Sequence, residues 1–492
     1  MVRIVVLADF HYSPHPASPK RRGEIMDVLL LRAVMRINRY IRPDVALILG
    51  DLVDDGDAPE GLQQLREVKN ILDILECPCV AIPGNHDGNP DRFYRVFDPT
   101  LDFLDIKGVR ILPCVDPEEP GYNASRSPRD LQRMDAAREG FDGPIVMAQH
   151  VPLHPLEAGC RYHYTNWQEV HEAMARNGID LAISGHYHEG LDTCQTESGT
   201  FLAGPALCEA PFPFLEVCLD NGKIGVKRHE LQIPADLGLI DTHVHSQFAY
   251  CGENVTAARI RALAPDMGLA DVILSEHSGQ LYYNEKDYWG GYAFRSGITT
   301  ADPQDRRLDA YLAVCAEAGC PPDRVGLEID CDAHGRPLLH VEDRPRFRFF
   351  NGAIHRLSAF DREPFSVDDA QEEFLALLER FLSSGIHVLA HPFRVFRRSG
   401  QETPRDLFEP TMRLLKRHGV AAEVNFHTQE PSEEFIRLCL DAGVRLSFGS
   451  DAHNLYEIGE FTPHIDLLRR CGYSGDFRDI LINVDQAIAD RQ

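Results

Sequence analysis

Residues 237–246 read LGLIDTHVHS. A short apolar run gives out at Asp241, and His243 and His245 follow one residue apart, the opening of a metal site made of carboxylate and imidazole. Just upstream, HELQIPADLGLI (residues 229–240) is interrupted by Pro234 and Gly238, so a domain seam is expected near residue 235. The stretch decides the fold because ligand motifs already precede it, from ADFH near residue 10 to SGHYH near residue 186. A second beginning implies a second domain, with boundaries expected at 1–232 and 238–488.

Both halves repeat one rhythm, a short β-branched run that ends in Asp, His, Asn or Glu and is often followed by a helical pattern. The first half has RIVVLADFH, DVALILGD, CVAIPGNHD, PIVMAQH and DLAISGHYH; the second has LIDTHVH, DVILSEH, VGLEID, HVLAHP, AAEVNFH and RLSFGSDAH. Runs of this length read as buried strands, while EIMDVLLLRAVMRINRY and DAQEEFLALLERFLSSG read as amphipathic helices. Polar groups gathered at strand ends are how α/β folds build sites, so an α/β class is expected in both halves.

A chain of 492 residues exceeds one ordinary core, and 43% hydrophobic with 26% charged residues is a globular composition. No apolar run approaches the roughly 20 residues that span a bilayer. MVRIVVLADFH runs straight into candidate ligands with no cleavage site, so a cytoplasmic location is expected. Thirteen cysteines have neither disulfide-framework nor zinc-ribbon spacing, and most are expected as small buried hydrophobes. A formal charge of −26 argues against general affinity for nucleic acid. An anionic substrate then needs local positive charge, which bound divalent metals supply.

The first half offers Asp9 and His11 (D-x-H), Asp51 (G-D-x-x-D), Asn85 and His86 (G-N-H-D), His150, and His186 with His188 (G-H-x-H). A D-x-H pair on a strand would place both side chains on one face. The mixed nitrogen and oxygen set suits Mn, Fe, Zn or Mg. In this order the motifs resemble the calcineurin-like metallophosphoesterases. The resemblance implies a four-layer αββα sandwich with a dinuclear centre, in which Asp9, His11 and His188 hold one metal, Asn85, His150 and His186 the other, and Asp51 bridges. It also implies that His86 sits beside the leaving group as proton donor or charge stabiliser, with a metal-activated hydroxide attacking phosphorus. Asp54 matches the last position of its motif and is expected to support a ligand.

The second half offers His243, His245, His277 in SEHS, Glu328 in GLEID, His355, His391 in AHP, and Asp451 with His453 in SDAH. This set resembles the PHP (polymerase and histidinol phosphatase) family, which implies a distorted (β/α)7 barrel with ligands at the C-terminal strand ends. By that likeness His243, His245 and Asp451 hold a first metal, Glu328 bridges it to a second held by His355 and His391, and His277 with His453 serves a third. Many members place a His or Asp about six residues beyond the second histidine. Here QFAYCGEN offers Cys251 or Glu253, with an ordinary buried thiol as the competing reading of Cys251. Asp241 is expected to orient a ligand or cap its strand, and Asn425 and His427 to line the pocket. Arg394 either grips a phosphate or is a surface arginine. Two insertions, residues 281–308 and 331–353, carry aromatic and basic residues suited to a lid, to packing or to an oligomer surface.

The function expected is a bifunctional metal-dependent phosphoesterase, with His86, Asp51 and Glu328 as catalytic residues. Divalent Mn, Fe or Zn would occupy the sites, two in the first and two or three in the second. The first would cut a phosphodiester, a cyclic or nucleotide one among the candidates, and the second a phosphomonoester, in consecutive steps. The partner is then a small phosphorylated substrate and not a membrane. Two alternatives stand beside this: one catalytic domain with a structural or regulatory companion, and a nucleic-acid processing factor, which the acidic charge disfavours.

Overall fold

The β-branched runs of the first half become strands of two facing sheets. They are β1 (Val2–Leu7), β2 (Val45–Leu49), β3 (Cys79–Ile82), β4 (Leu104–Ile106), β5 (Val109–Pro113), a short ribbon β6 (Glu118–Glu119) and β7 (Asn123–Ala124), β8 (Ile145–Ala148), β9 (Leu181–Ser184), β10 (Leu191–Thr196), β11 (Gly199–Ala203), β12 (Pro213–Asp220) and β13 (Lys223–Glu230). The computed structural model describes residues 1–155 and 159–490. It divides into two units, Met1–Gln232 and Ile233–Gln492.

In the first unit one sheet has the order β13-β12-β1-β2-β3 and the other β10-β11-β9-β8-β5-β4. Alternate residues of each strand meet in one apolar seam, with Ile4, Val6, Leu47 and Leu49 from the first sheet and Val146, Ala148, Leu181 and Ile183 from the second. The intervening residues Ile145, Met147, Ala182 and Phe201 point outward into a second cluster with the helices Pro128–Arg138 and Trp167–Asn177. On the first sheet Val5, Ala46 and Ile48 are likewise fully buried on the outer side. The crossover helices Met26–Arg36 and Gly61–Leu72 supply that outer layer. The result is the helix, sheet, sheet, helix sandwich expected of this half.

The second unit strings β14 (Ile240–Val244), β15 (Asp271–His277), β16 (Val325–Asp330), β17 (Phe349–Ala353), β18 (Val388–Leu389), β19 (Ala421–Val424) and β20 (Leu446–Phe448) in simple sequence order, all parallel. The sheet curls until its ends meet. Val244 bridges Ala452, Asp451 N–H donates to the His243 carbonyl at 2.7 Å, and His245 N–H donates to Ala452 O at 3.1 Å. A seven-stranded, barrel-shaped sheet results, and nearly every strand residue is buried, as both-face coverage of a parallel sheet requires.

One element differs from the sequence reading. Residues 349–353, placed above within an insertion, are β17. FFNGA has two aromatic residues but no β-branched one, and Asn351 and Gly352 cut its strand signature short; pairing with β16 (Gly326 with Phe349) and β18 (Asn351 with Val388) makes it a strand. All thirteen cysteines are free and seven are buried. Among the described residues no helix is long and apolar enough to cross a membrane.

Candidate metal centres

Every expected ligand of the first unit lies at or just beyond a strand end. β1 stops at Leu7, so the strand period does not align Asp9 and His11; they are placed instead by left-handed backbone, φ 56° and 46°. Asp51 (54°) and His186 (65°) share this conformation, as do His391 (29°) and Asp451 (55°) of the second unit. Non-glycine residues held there cost about 1–3 kcal/mol each, and such strain gathers where side chains must be aimed.

Asp9, His11 and His188 offer ligand atoms within 4.8 Å of one another, and so do Asp51, His150 and His186. Asp51 stands between the groups, its Oδ2 3.7 Å from His11 Nε2 and 3.4 Å from His150 Nε2, while its Oδ1 accepts the His86 N–H at 2.8 Å. Asn85 Oδ1 lies 3.1 Å from His150 Nε2. Burial pushes the Asp51 carboxyl up, but His150, His11 and His86 hold it well below the usual carboxylate range. In turn burial lowers His150, and Asp51 with Asp9 overcomes that and raises it to about 10.

The tautomers show what the imidazoles are for. His150 Nδ1 donates to the Leu49 carbonyl (2.6 Å) and His186 Nε2 to the Tyr122 carbonyl (3.0 Å). A carbonyl only accepts, so when both rings are neutral the other nitrogens carry lone pairs that face each other at 3.0 Å; without metal, a proton on His150 Nε2, which its raised pKa favours, fills that gap. His11 Nδ1 donates to Asp54 (3.2 Å) and His188 Nδ1 to Glu209 (2.8 Å), again leaving two lone pairs facing at 3.2 Å. Opposed lone pairs repel unless a cation sits between them, and outward-donating partners are what orient metal-binding histidines. The donor set therefore fits divalent metal. His86, by contrast, commits Nδ1 to the Asp54 carbonyl at 2.8 Å.

The second unit repeats this logic around Glu328, which is fully buried. Its Oε2 is 3.6 Å from Nε2 of both His243 and His245 and 2.5 Å from His277 Nδ1. Its Oε1 is 3.3 Å from His355 Nε2 and 2.7 Å from His391 Nε2. Burial would raise Glu328, but His277, His355 and His243 hold it well below the carboxylate range. His243 Nδ1 donates to Glu423 (2.8 Å), His355 Nδ1 to Asp330 (2.7 Å) and His453 Nδ1 to the Asp451 carbonyl (2.8 Å). His243 Nε2 is buried with no hydrogen-bond partner among the described residues, and Asp451 Oδ1 is 3.6 Å away. That is too long for a hydrogen bond and close to the separation of two ligands each about 2.0–2.2 Å from one tetrahedral cation.

His243, His245 and Asp451 form one group, and His245, His277 and His453 another. Cys251 joins the latter, its Sγ 4.0 Å from His277 Nε2. It is exposed, which corrects the buried-thiol reading. Burial raises its pKa, but hydrogen bonds with His277 and His453 bring the thiol down to about 5. Glu253 turns elsewhere, accepting from Asn454 Nδ2 at 2.6 Å. Arg394 is not a surface arginine: it is 5% exposed, pairs with Asp451 Oδ2 and donates to Asn425 Oδ1 at 2.6 Å. Asp241 accepts backbone N–H groups of Ser450 and Gly459, both at 3.0 Å, and so ties β14 to the loop after β20. His427 donates to Glu457 at 2.7 Å.

Sequence reasoning missed the carboxylates behind the ligands. Glu209 and Glu423 match no motif, and Asp330 in GLEID and Asp87 in G-N-H-D were assigned no role; Asp87 accepts from Leu52, Val53 and Gly84 N–H and so clamps the Asp51 loop to the Asn85 loop. Their only signal was position, each following or ending an apolar run.

Residues 2–190 match the family model described as calcineurin-like phosphoesterase. The chain is similar to "Metallophosphoesterase 1 homolog" of Drosophila melanogaster, 34% identical over 239 residues, which cover 38% of this chain and 63% of that protein. It is similar to "Probable cyclic nucleotide phosphodiesterase syc0937_d" of Synechococcus sp., 29% identical over 174 residues, 33% and 65% of the two chains. It is also similar to "Probable phosphatase YcdX" of Escherichia fergusonii, 25% identical over 139 residues, 27% and 53%. The matches thus span between half and two thirds of these relatives' lengths. With the five motifs assembled around Asp51 and the family model covering them, the N-terminal part of this chain is a calcineurin-like phosphoesterase domain.

Proposed function

We propose that the chain is a bifunctional metal-dependent phosphoester hydrolase, in which the N-terminal centre opens a diester and the C-terminal centre, a PHP-type site, removes the resulting monoester. The observation that carries this is a duplicated arrangement: one buried, ionised carboxylate, Asp51 or Glu328, set among inward-facing imidazoles. The names of two relatives, "Probable cyclic nucleotide phosphodiesterase syc0937_d" and "Probable phosphatase YcdX", support the two reaction types. Bound divalent metals would lower the pKa of water and neutralise charge developing on the phosphate.

In the N-terminal centre Asp9, His11 and His188 would hold one metal and Asn85, His150 and His186 the other, with Asp51 shared. His86, its Nδ1–H donated to the Asp54 carbonyl, would protonate the leaving oxygen from Nε2 in its imidazolium form, with a proton on both ring nitrogens. In the C-terminal centre Glu328 would be shared between a group of His243, His245 and Asp451 and a pair, His355 and His391. His277 and His453 with Cys251, rather than Glu253, would hold a third metal, so the chain would load five.

The test uses Asp51→Asn and Glu328→Gln separately, with a cyclic nucleotide diester and its monoester product. Asp51→Asn should stop diester opening while phosphate release from the monoester continues; Glu328→Gln should do the reverse. If one variant abolishes both steps and the other changes nothing, the two-site relay is wrong.

A further inference from the structure

A cavity of about 210 Å³ opens beside His355, lined by Tyr288, Trp289, Phe294 and Phe360, with Arg356 and Arg398 and the acid Asp361 also on its wall. It is wired to the C-terminal centre. Tyr288 Oη donates to Asp330 Oδ1 at 3.0 Å, the same oxygen accepts from His355 Nδ1 at 2.7 Å, and His355 Nε2 reaches to 3.3 Å from Glu328 Oε1.

The aromatic wall is held in place. Tyr288 and Trp289 meet edge to face at 5.0 Å, Phe360 stands edge to face on Phe396 at 5.7 Å, and Arg356 donates to the Trp289 carbonyl. Trp289 nonetheless stays 37% exposed. A flat ring entering here gains stacking and edge contacts, and a polyol gains neither. The volume is below the roughly 300–1,000 Å³ of pockets that enclose drug-sized ligands, so it admits a single ring system and no oligomer.

We propose that this cavity receives the leaving group of the C-terminal centre, and that its substrate is a phosphate monoester whose alcohol carries one flat aromatic or heteroaromatic ring. The proposal rests on the C-terminal centre being a phosphomonoesterase. In the reaction water breaks the P–O bond to that alcohol: the water oxygen ends on phosphate and a proton on the departing oxygen, with no redox change.

The experiment measures kcat/KM of the full-length, metal-loaded protein for phenyl phosphate and for glycerol 2-phosphate, in wild type, Trp289→Ala, Trp289→Phe and Phe360→Leu. Wild type should prefer the ring-bearing ester. Trp289→Ala and Phe360→Leu should lower the phenyl to glycerol ratio about tenfold, the scale of a ring stacked on an aromatic side chain, mainly through KM. Trp289→Phe should restore most of it. No wild-type preference, or equal losses on both esters, overturns the pocket assignment. Glu328→Gln runs in parallel: if it still hydrolyses both monoesters, the phosphatase reading of the centre fails, whereas an inactive Glu328→Gln together with an unmoved ratio in the Trp289 and Phe360 variants sinks the pocket alone. Thermal melting of each variant confirms folding, and Trp289, at the rim, is the substitution least able to disturb it.

Discussion

Replacing Glu423 by Gln isolates the part of the C-terminal centre that no motif announces. Glu423 is 1% exposed; its Oε1 accepts His243 Nδ1–H at 2.8 Å, and its Oε2 accepts the His391 N–H at 2.7 Å and Asn425 Nδ2 at 3.0 Å. Gln keeps one acceptor and turns the other into a donor. The new NH2 must then face either His243 Nδ1–H or the two donors from His391 and Asn425, so at least one charge-assisted hydrogen bond is lost. Such a bond contributes about 1.5–3 kcal/mol, which at about 1.4 kcal/mol per tenfold is a roughly 10–100-fold weaker hold on the metal nearest His243. Partners that orient metal-binding histidines typically matter by the same ~10–100-fold. The assay is competitive titration of Mn or Zn into metal-stripped protein against a chromophoric chelator, with the N-terminal metals as internal reference. Affinities within twofold of wild type would refute the orienting role, and an equal loss at the N-terminal metals would show a global defect instead.

Three further outcomes follow from the same geometry. A Cβ on Gly449 would sit 2.0 Å from Glu423 Oε1 and 2.8 Å from His243 Cβ, so Gly449→Ala should displace the Glu423 carboxylate and reproduce the loss of C-terminal metal affinity, read by the same titration. Cys251→Ser should lower the metal content from five to four per chain without changing the N-terminal pair, as counted by elemental analysis; an unchanged count removes Cys251 from the ligand set. Burial pushes the Glu276 carboxyl up to about 7, although it accepts the Ser246 N–H. Its folded pKa thus lies above the unfolded value of about 4.3, so its contribution is complete below that value and is lost as pH rises toward 7. Glu276→Gln escapes this, and in metal-free protein its stability relative to wild type should rise by about 2–3 kcal/mol between pH 5 and pH 8 in urea unfolding. A pH-independent difference would show that Glu276 is ionised throughout.

Much of the molecule was legible in the chain because strand-forming runs and ligand types are local. RIVVLADFH, DVALILGD and PIVMAQH are strands ending at a site, and LGLIDTHVHS opens a second unit. The ligand types at those ends, and their order, are properties of one dimension. Three things were not. FFNGA became β17 only because Phe349 and Asn351 found partners, Gly326 and Val388, in neighbouring strands. QFAYCGEN offered two candidates, and only the turn of the chain shows that Cys251 lies beside His277 while Glu253 meets Asn454. The carboxylates behind the imidazoles, Glu209, Asp330 and Glu423, and the salt bridge of Arg394 with Asp451, join residues 21 to 180 positions apart. A sequence pattern records which atoms can bind a metal. Which way each imidazole turns its lone pair is settled by what its other nitrogen meets across the fold, and that requires the closed sheet.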